Sequence, residues 1–301
     1  MPHRSEPLAR AYAACEALAR SHYENFPVAS WLLPRAIRPH IAAVYAFARI
    51  ADDIADEGEL PAAGRQARLS AWQDRLHAAV TSSPDVVAPI TDDQENKGLM
   101  LVALAHSIRS LDLPIALFDD LVSAFGQDIT TVRYDSWDEV FDYCRRSANP
   151  VGRLVLRIAG YKDDALDRSS DALCTALQLT NFWQDFGRDW LIGRLYVPRD
   201  AVVLNRAREM DLNGAMLPGE WLAVLDGCIA KTREKFAAGR AVCDGVRGRL
   251  RYELRLTWHG GARVLDAVEE AAPYLLHHRP ALGPRDAPSL LWRAVRWTAP
   301  S

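Results

Sequence analysis

Two acidic clusters lie within segments of this chain that otherwise have the pattern of buried helices. Ile41–Ala48 precedes the first cluster and Leu173–Trp183 overlaps the second, and both are apolar almost all the way round a helix. A buried carboxylate without a positive partner is strongly unfavourable, so the fold must supply metal ions or cationic groups there. The clusters read Arg49-x-x-Asp52-Asp53-x-x-Asp56 and Gln178-x-x-Asn181-x-x-x-Asp185-x-x-x-Asp189.

The spacing of the oxygen-bearing side chains places them on one face of each helix. Asn181, Asp185 and Asp189 recur at intervals of four residues, and so do Asp52 and Asp56. Residues four apart are neighbours on an α-helix, about 6 Å from each other. Mg²⁺ prefers a few carboxylates, several waters and the phosphate oxygens of a substrate. We therefore predict that these five residues bind Mg²⁺ and that the substrate carries a phosphate group.

Two rival interpretations of the clusters fit less well. A solvated acidic surface would not have flanks that are apolar all round. A di-iron or di-manganese site in a helical bundle needs Glu-x-x-His pairs, and no Glu of this chain is followed by His three residues later. Asp and Asn ligands without histidine favour Mg²⁺ over iron or zinc.

Charge and cysteine usage restrict the class of protein. The net charge is -3 and no basic run occurs, which argues against a nucleic-acid partner. The five cysteines are scattered and lack a C-x-x-C pair, which is typical of a reducing cytoplasm. Met1–Pro7 has no apolar signal-peptide core, and no uncharged stretch approaches the ~18 residues of a spanning helix. We expect a cytoplasmic protein, with peripheral contact at the inner membrane left open.

Almost the whole chain has helical periodicity, which predicts an all-α fold. We expect a single domain over 1–301, with a core over about 8–271 and a short C-terminal helix over 287–297. The two acidic helices should face each other, Thr81–Lys97 should be a loop, and Asn149-Pro150 should kink or restart a helix. Helices are expected over Leu8–Arg20, Ile37–Asp56, Ala62–Val80, Gly98–Arg109, Ile115–Gln127, Ser136–Cys144, Asp171–Leu191, Gly219–Asp244, Arg249–Ala271 and Ser289–Trp297.

Two arginines lie beside the acidic clusters. Arg49 is three residues before Asp52 and on the same helix face, where its planar guanidinium suits a phosphate oxygen. An ion pair with Asp52 or Asp53 is the alternative role for Arg49, and both roles stay open. Arg194 follows the second cluster, where it either closes over a diphosphate or is an ordinary surface residue.

These residues resemble the squalene/phytoene synthase family of trans-isoprenoid diphosphate synthases. The likeness runs from His22 to about Arg263. It implies an isoprenoid synthase helical bundle with a central apolar cavity, which binds two or three Mg²⁺ ions and a prenyl diphosphate. The substrate-binding residues implied are His22, Phe26, Tyr45, Arg49, Gln178 and Arg194. The motifs that carry the likeness are Phe26, Tyr45-x-x-x-Arg49-x-x-Asp52-x-x-x-Asp56, Tyr143, and Gln178-Leu179-Thr180-Asn181-x-x-x-Asp185-x-x-x-Asp189 followed by Gly193-Arg194-x-Tyr196-x-Pro198.

Within that family, Asn25–Pro34 and Tyr143–Gly152 are most similar to bacterial hydroxysqualene synthases of the HpnC type. This resemblance implies conversion of presqualene diphosphate and water to hydroxysqualene and diphosphate, without NADPH. Other enzymes of hopanoid synthesis would be its partners. Relatives often carry basic residues where this chain has Glu24 and Gln184, which favours a substrate with one diphosphate. The alternative is head-to-head condensation of two farnesyl diphosphates to presqualene diphosphate, squalene or a carotenoid precursor.

The same resemblance suggests how the reaction would be controlled. Asn149, at the expected kink, would help to place the water that quenches the carbocation, and Tyr143 would orient that water or the diphosphate.

Two rival classes remain for the helical fold. A class I terpene cyclase should end its second motif in Glu, and a non-catalytic relative should have lost ligands, whereas this chain retains Asp189. Aromatic walls for the carbocation, or else ordinary core residues, would be Phe26, Tyr45, Phe47 and Phe182.

Overall fold

The computed structural model describes residues 6–21, 32–56, 60–82 and 92–297, with side chains from residue 96 onward in the last range. His22, Glu24 and Phe26 lie outside these described residues. All regular structure within them is helical and none of them forms a strand, which confirms the predicted all-α class.

The described ranges contain fourteen α-helices and two short 3-10 helices, Glu209–Asn213 and Ala272–Tyr274. The α-helices are α1 (Glu6–Ser21), α2 (Arg38–Asp56), α3 (Ala62–Thr81), α4 (Asp92–Leu111), α5 (Ala116–Asp128), α6 (Trp137–Ser147), α7 (Asn149–Ile158), α8 (Asp164–Gln184), α9 (Phe186–Leu191), α10 (Arg199–Leu204), α11 (Gly219–Gly239), α12 (Val242–Gly245), α13 (Gly248–Ala271) and α14 (Ala287–Arg296).

Residues 1–130 and 153–162 form the first of two compact units. In it, α2 packs against α1, α3, α4 and α5. Phe47 of α2 is buried, stacks on Trp72 at 5.6 Å between ring centroids, and meets the edge of Phe118 at 5.6 Å. Of the two roles open to Phe47, the structure therefore favours the ordinary core residue.

Residues 131–152 and 163–301 form the second compact unit. Its long helix α8 packs against α6, α11, α12 and α13, so that both polar and apolar positions of α8 are covered. Trp183 is fully buried there, and its indole N–H donates a 2.9 Å hydrogen bond to the Thr232 hydroxyl of α11. The single domain over 1–301 and its central apolar cavity stay predictions.

The predicted start of α6 and the restart after it are confirmed. Ser136 caps α6, because its hydroxyl accepts a 3.4 Å hydrogen bond from the Glu139 N–H. The Glu139 carboxylate reaches back to the N–H of Asp135 at 2.7 Å, one residue earlier than in the usual capping box. A new helix, α7, begins at Asn149 after α6 ends at Ser147.

Three helix boundaries differ from the sequence expectation. The loop predicted over Thr81–Lys97 is wrong from Asp92 onward, where α4 begins. The helix predicted over Asp171–Leu191 starts earlier and is interrupted by a bend at Asp185. The long helix predicted to reach Asp244 ends at Gly239, and the short α12 follows it.

The C-terminal helix α14 ends against α13. Trp297 lies edge-on to Trp258 at 5.6 Å, and the Arg240 guanidinium lies 3.9 Å from the centroid of the Trp297 ring. Trp292 is largely exposed, with Arg296 over its ring. In the described part of the chain, no helix combines the length and apolar character needed to cross a membrane.

Candidate functional site

The first acidic cluster occupies the last two turns of α2. The Arg49 guanidinium lies 2.7 Å from Asp53 and 3.9 Å from Asp52, so the ion pair expected as one of its two roles is present. Burial lowers the pKa of Arg49, but the charges of Asp53 and Asp52 outweigh it and raise that pKa. Arg49 is therefore a permanent cation on the helix face that also carries Asp52. Asp56 closes α2 and is exposed.

Tyr45 lies one turn before Arg49 on the same helix and is half-buried. Burial raises the pKa of its phenol, the charges of Asp53 and Asp52 raise it further, and Arg49 opposes them. Tyr45 is consequently a neutral hydroxyl at physiological pH. It offers the cluster a hydrogen-bond donor next to the Arg49 cation.

The second cluster spans the bend between α8 and α9. Asp185 sits at the bend with φ -93° and ψ 7°, yet its N–H still donates to the Asn181 carbonyl at 2.9 Å. The Asp189 N–H in turn donates to the Asp185 carbonyl at 2.9 Å. These bonds link residues four apart, as in an α-helix. Asn181, Asp185 and Asp189 therefore keep the helical i, i+4 relation across the bend, as the spacing predicts.

Asn181 and Asp185 are joined through their side chains. The amide nitrogen of Asn181 donates a 2.8 Å hydrogen bond to Asp185 Oδ2. Only the nitrogen of the amide can make this bond, which turns the Asn181 carbonyl oxygen away from the carboxylate. The pair thus combines an amide and a carboxylate on one helix face, and both carry oxygen atoms of the kind that suits a hard cation.

Asp185 has a cationic partner that the sequence did not reveal. Arg279 donates from Nε to Asp185 Oδ1 and from Nη2 to Asp185 Oδ2 at 3.2 Å, a bidentate contact. The same Nη2 lies 3.3 Å from the Gln184 side-chain oxygen. The only sequence signal was the need for a positive group beside a buried carboxylate, and it could not say which arginine provides it.

Arg279 also alters the significance of Gln184. From sequence, Gln184 marked a loss of positive charge relative to other members of the family. In the structure Gln184 accepts a hydrogen bond from Arg279, so a guanidinium lies at this position after all. Gln184 therefore gives less support to a substrate with only one diphosphate.

A tight turn follows the second cluster and fixes Arg194. Gly193 has a φ of +82°, in the left-handed region that favours glycine. The Arg194 N–H donates to the Asp189 carbonyl at 2.7 Å. This hydrogen bond connects the turn to Asp189, one of the predicted metal ligands. Arg133 holds the turn from outside through the Gly193 carbonyl at 2.5 Å. Arg194 is half-buried, so its backbone position is set although its diphosphate role stays a prediction.

An aromatic group lies directly beside Asn181 in the chain. Phe182 and Tyr196 stack with ring centroids 3.8 Å apart and planes 7° apart. Tyr143, which is buried, lies 6.0 Å from Phe182 and 6.1 Å from Tyr196. Tyr134 completes the group at 5.9 Å from Tyr143, and the sequence had not singled it out. We call Tyr134, Tyr143, Phe182 and Tyr196 the aromatic cluster.

Asn149 and Gln178 lie on neighbouring parts of the same unit. Asn149 is the first residue of α7 and is 9% exposed, and its side-chain oxygen accepts a 3.0 Å hydrogen bond from the Thr175 hydroxyl of α8. Gln178 lies three residues after Thr175 and is half-buried. Asn149 is therefore a fixed, buried polar group, as a water-positioning residue must be.

The ligand candidates fit Mg²⁺ by their chemistry. Among the described residues, no three His, Cys, Asp or Glu side chains come close enough together to hold a metal ion. Each cluster instead offers two Asp residues, and the second adds the Asn181 amide. A hard cation that keeps several waters and binds phosphate oxygens suits such an incomplete set of oxygen donors. That the two clusters face each other stays a prediction.

The known sequences that are similar to this chain point to one protein family. The squalene/phytoene synthase family profile matches residues 19–286. A hydroxysqualene synthase of Sinorhizobium fredii is 35% identical over 266 residues, which cover 87% of this chain and 84% of the relative. A second, from Rhodopseudomonas palustris, is 34% identical over 225 residues, 74% of this chain and 72% of the relative. A phytoene synthase of Mycobacterium tuberculosis is 37% identical over 191 residues, 64% of this chain and 58% of the relative.

Solved structures agree with the sequence comparison. The squalene synthase HpnC of Alicyclobacillus acidocaldarius superimposes with a TM-score of 0.79 at 36% identity, covering 89% of this chain and 97% of its own. A dehydrosqualene synthase crystallised with a ligand gives 0.81 at 19% identity over 97% of this chain and 99% of its own, which bears on the fold alone. Fold, motifs and relatives agree, and the chain belongs to the squalene/phytoene synthase family of enzymes.

Proposed function

We propose that this chain converts presqualene diphosphate and water to hydroxysqualene and diphosphate in a Mg²⁺-dependent reaction. The observation that carries the proposal is the adjacency of two kinds of group. Asn181, which with Asp185 would bind a diphosphate-bound cation, directly precedes Phe182 in the same helix, and Phe182 stacks on Tyr196. Relatives named hydroxysqualene synthase, at 34% to 40% identity, support this reaction among those of the family.

Departure of diphosphate requires positive charge at the leaving group. When bound by Asp52, Asp56, Asn181, Asp185 and Asp189, Mg²⁺ supplies Lewis acidity toward the diphosphate oxygens. Arg49 adds a fixed cation whose raised pKa keeps it charged throughout the physiological range. Arg194 would bind a diphosphate oxygen from the turn after Asp189. These residues stabilise the charge that develops as the carbon–oxygen bond breaks.

The carbocation left behind needs an apolar, electron-rich surface. The aromatic cluster provides ring faces, each of which attracts a cation by about 1–2 kcal/mol when water is excluded. Tyr143 and Phe182 are buried, so bulk water has little access to this surface. Phe47 is not part of this surface in our proposal, because its ring is packed between Trp72 and Phe118.

One water must nevertheless reach one carbon of the rearranged cation. In our proposal Asn149 holds that water through its side-chain amide, while Thr175 fixes the amide's orientation. Tyr143 assists by orienting the water or the diphosphate. No NADPH takes part, because an oxygen from water rather than a hydride ends the reaction. Contact with the inner membrane and with other hopanoid-pathway enzymes belongs to the same proposal, since the substrate is strongly apolar.

A second candidate is condensation of two farnesyl diphosphates to presqualene diphosphate, squalene or a carotenoid precursor. Two observations favour it. Two mycobacterial relatives named phytoene synthase are each 37% identical over 191 residues. Arg279 also brings a guanidinium to Gln184, a position where the sequence itself has no positive charge.

Product analysis separates the two candidates. Purified protein with Mg²⁺ and without NADPH should form hydroxysqualene from presqualene diphosphate and nothing from farnesyl diphosphate, as read by mass spectrometry. Chelation by EDTA should abolish the product and added Mg²⁺ should restore it. Presqualene diphosphate formed from farnesyl diphosphate would instead support the condensing reaction. Turnover that is unaffected by EDTA would contradict the metal dependence.

A further inference from the structure

The second acidic motif is covered by a segment from the far end of the chain, Leu275–Pro280, which we call the C-terminal strap. A Cβ on Gly187 would lie 2.5 Å from the Leu275 carbonyl oxygen, so only glycine lets the strap approach α9 this closely. Gln184 donates from its side-chain nitrogen to the Pro280 carbonyl at 2.6 Å. Leu275 and Leu276 are both buried. The strap backbone is therefore anchored on both sides of Arg279.

Arg279 has its side chain on the Asp185 carboxylate and its backbone between these anchors. Its side chain is 28% exposed and that of Asp185 is 19% exposed, so water screens the ion pair only partly. Movement of Arg279 is consequently confined to its side chain, because the backbone on each side is held. A guanidinium on four rotatable bonds can leave a carboxylate without any change in the fold.

The contacts of Asp185 limit what else the carboxylate can bind. A carboxylate has about four lone-pair positions. Asp185 already accepts from Arg279 Nε and Nη2 and from the Asn181 amide. A divalent cation that used Asp185 would also lie within a few ångströms of the Arg279 positive charge. Cation and guanidinium therefore compete for this carboxylate.

We propose that Arg279 exchanges partners during substrate loading. Before the cation binds, Arg279 neutralises Asp185. When the cation binds Asp185, the Arg279 guanidinium forms its bidentate contact with oxygens of the incoming diphosphate instead. Carboxylate and phosphate groups both accept two parallel hydrogen bonds from a guanidinium. The cation alone thus binds weakly, and the anion binds with the help of Arg279. This inference rests on the proposed metal and diphosphate site.

Two binding measurements on the full chain test the exchange. Mn²⁺, a probe that shares the oxygen-ligand preference of Mg²⁺, is titrated without any anion and its free fraction read by electron paramagnetic resonance. Inorganic pyrophosphate is then titrated by equilibrium dialysis at saturating Mg²⁺. For Arg279→Gln we expect Mn²⁺ to bind several-fold more tightly, and pyrophosphate about tenfold or more weakly, than in the wild type.

Matched variants isolate the role of Arg279. Arg188 carries the same charge and lies 3.9 Å from the same carboxylate oxygen, but it is 71% exposed on its side chain. Arg188→Gln should leave both affinities within about twofold of the wild type. Arg279→Lys keeps the positive charge but cannot donate two parallel hydrogen bonds. It should weaken pyrophosphate binding less than Arg279→Gln does.

The opposite signs of the two effects make the outcome decisive. A variant that had merely lost local structure would bind both probes more weakly, and that result for Arg279→Gln would overturn the exchange. Unchanged Mn²⁺ affinity or unchanged pyrophosphate affinity would overturn it as well. Failure of the proposed function looks different, because the wild type and Asp185→Asn would then bind Mn²⁺ and pyrophosphate equally.

Discussion

The side-chain oxygen of Asn149 accepts a 3.0 Å hydrogen bond from the hydroxyl of Thr175, and both residues are buried. The bond connects the first residue of α7 to the middle of α8. Thr175 thus lies more than two helical turns before the end of α8 at Gln184. Thr175 therefore fixes which way the Asn149 amide nitrogen points. This gives a way to test a water-positioning role without altering Asn149 itself.

Replacing Thr175 by Val keeps the branched side-chain shape and puts a methyl group in place of the hydroxyl. Leaving the buried Asn149 oxygen unsatisfied should lower the free energy of unfolding by about 1–3 kcal/mol. We also expect a smaller fraction of consumed substrate to appear as hydroxysqualene, measured by mass spectrometry, with Asn149→Ala having the larger effect.

Thr180→Val is the control for that experiment. Thr180 is also buried on α8, but among the described residues its hydroxyl bonds only to the Ala176 carbonyl of its own helix, at 2.7 Å. Its product ratio should match the wild type. An unchanged alcohol fraction in both Thr175→Val and Asn149→Ala would remove Asn149 from the reaction.

Loss of the Asp185 charge should abolish most activity without unfolding the protein. Asp185→Asn keeps the shape of the side chain but weakens its affinity for a divalent cation. We expect kcat/KM to fall by about a hundredfold or more, the usual cost of removing one electrostatic stabiliser from an active site. Circular dichroism and thermal unfolding check the fold. Asp164→Asn, at the exposed start of the same helix, is the control, and near-normal turnover of Asp185→Asn would discard the metal-ligand role.

Gly187→Ala should be destabilising because of the C-terminal strap. The added methyl group would meet the carbonyl oxygens of Leu275 and Leu276, and backbone atoms cannot move aside cheaply. We expect a loss of about 1–3 kcal/mol in urea unfolding. A Cβ on Gly260 in α13 would have open space for 4 Å around it, so Gly260→Ala should instead stabilise by about 0.5–1 kcal/mol. Equal effects at the two glycines would argue against a tightly seated strap.

Stability should decline in alkali because of buried thiols. Burial raises the pKa of Cys144 and of Cys174 from the ordinary 9.0 to about 12. The unfolded thiols ionise near 9.0 and the native ones do not, so their stabilising contribution is complete below pH 9.0 and is lost as pH rises toward 12. Each thiol can contribute a slope of up to about 1.4 kcal/mol per pH unit in this window.

Urea unfolding at several pH values above neutrality measures that slope. The double variant Cys144→Ala, Cys174→Ala should show a shallower decline than the wild type, although it starts from lower stability because one buried and one partly buried side chain are truncated. Parallel declines in the two proteins would mean that other groups govern alkaline unfolding.

Local signals allowed much of the fold to be predicted from the sequence. The Ser136 cap and the restart at Asn149 depend on residues within one or two helical turns, and both appear in the structure. Asp92 was missed as a helix start because the first turns of α4 are polar and have no apolar periodicity to reveal them. The bend at Asp185 was also missed, since the strap that packs there comes from about ninety residues away.

The site was predictable to the extent that its residues belong to regular spacings. Asn181 and Asp185 share a helix face as their four-residue interval requires, and their side chains meet. Tyr134 and Arg279 could not be found in this way, because each joins the site through packing across distant parts of the chain. A carboxylate in an apolar helix indicates that a cation is needed, but only the tertiary structure identifies it.

The bend at Asp185 divides the second motif into a rigid part and an adjustable part. Asn181 lies in the last turn of a helix of 21 residues that is packed on several sides, and Asp185 caps that helix, so their separation is fixed. Asp189 lies in a helix of only 6 residues. The C-terminal end of this helix is held by the Gly193 turn and by Arg133. Changes in the turn, which lies outside the motif, would shift Asp189 relative to Asn181 and Asp185. The relative positions of Asn181, Asp185 and Asp189 can thus diverge among related enzymes while every motif residue stays the same.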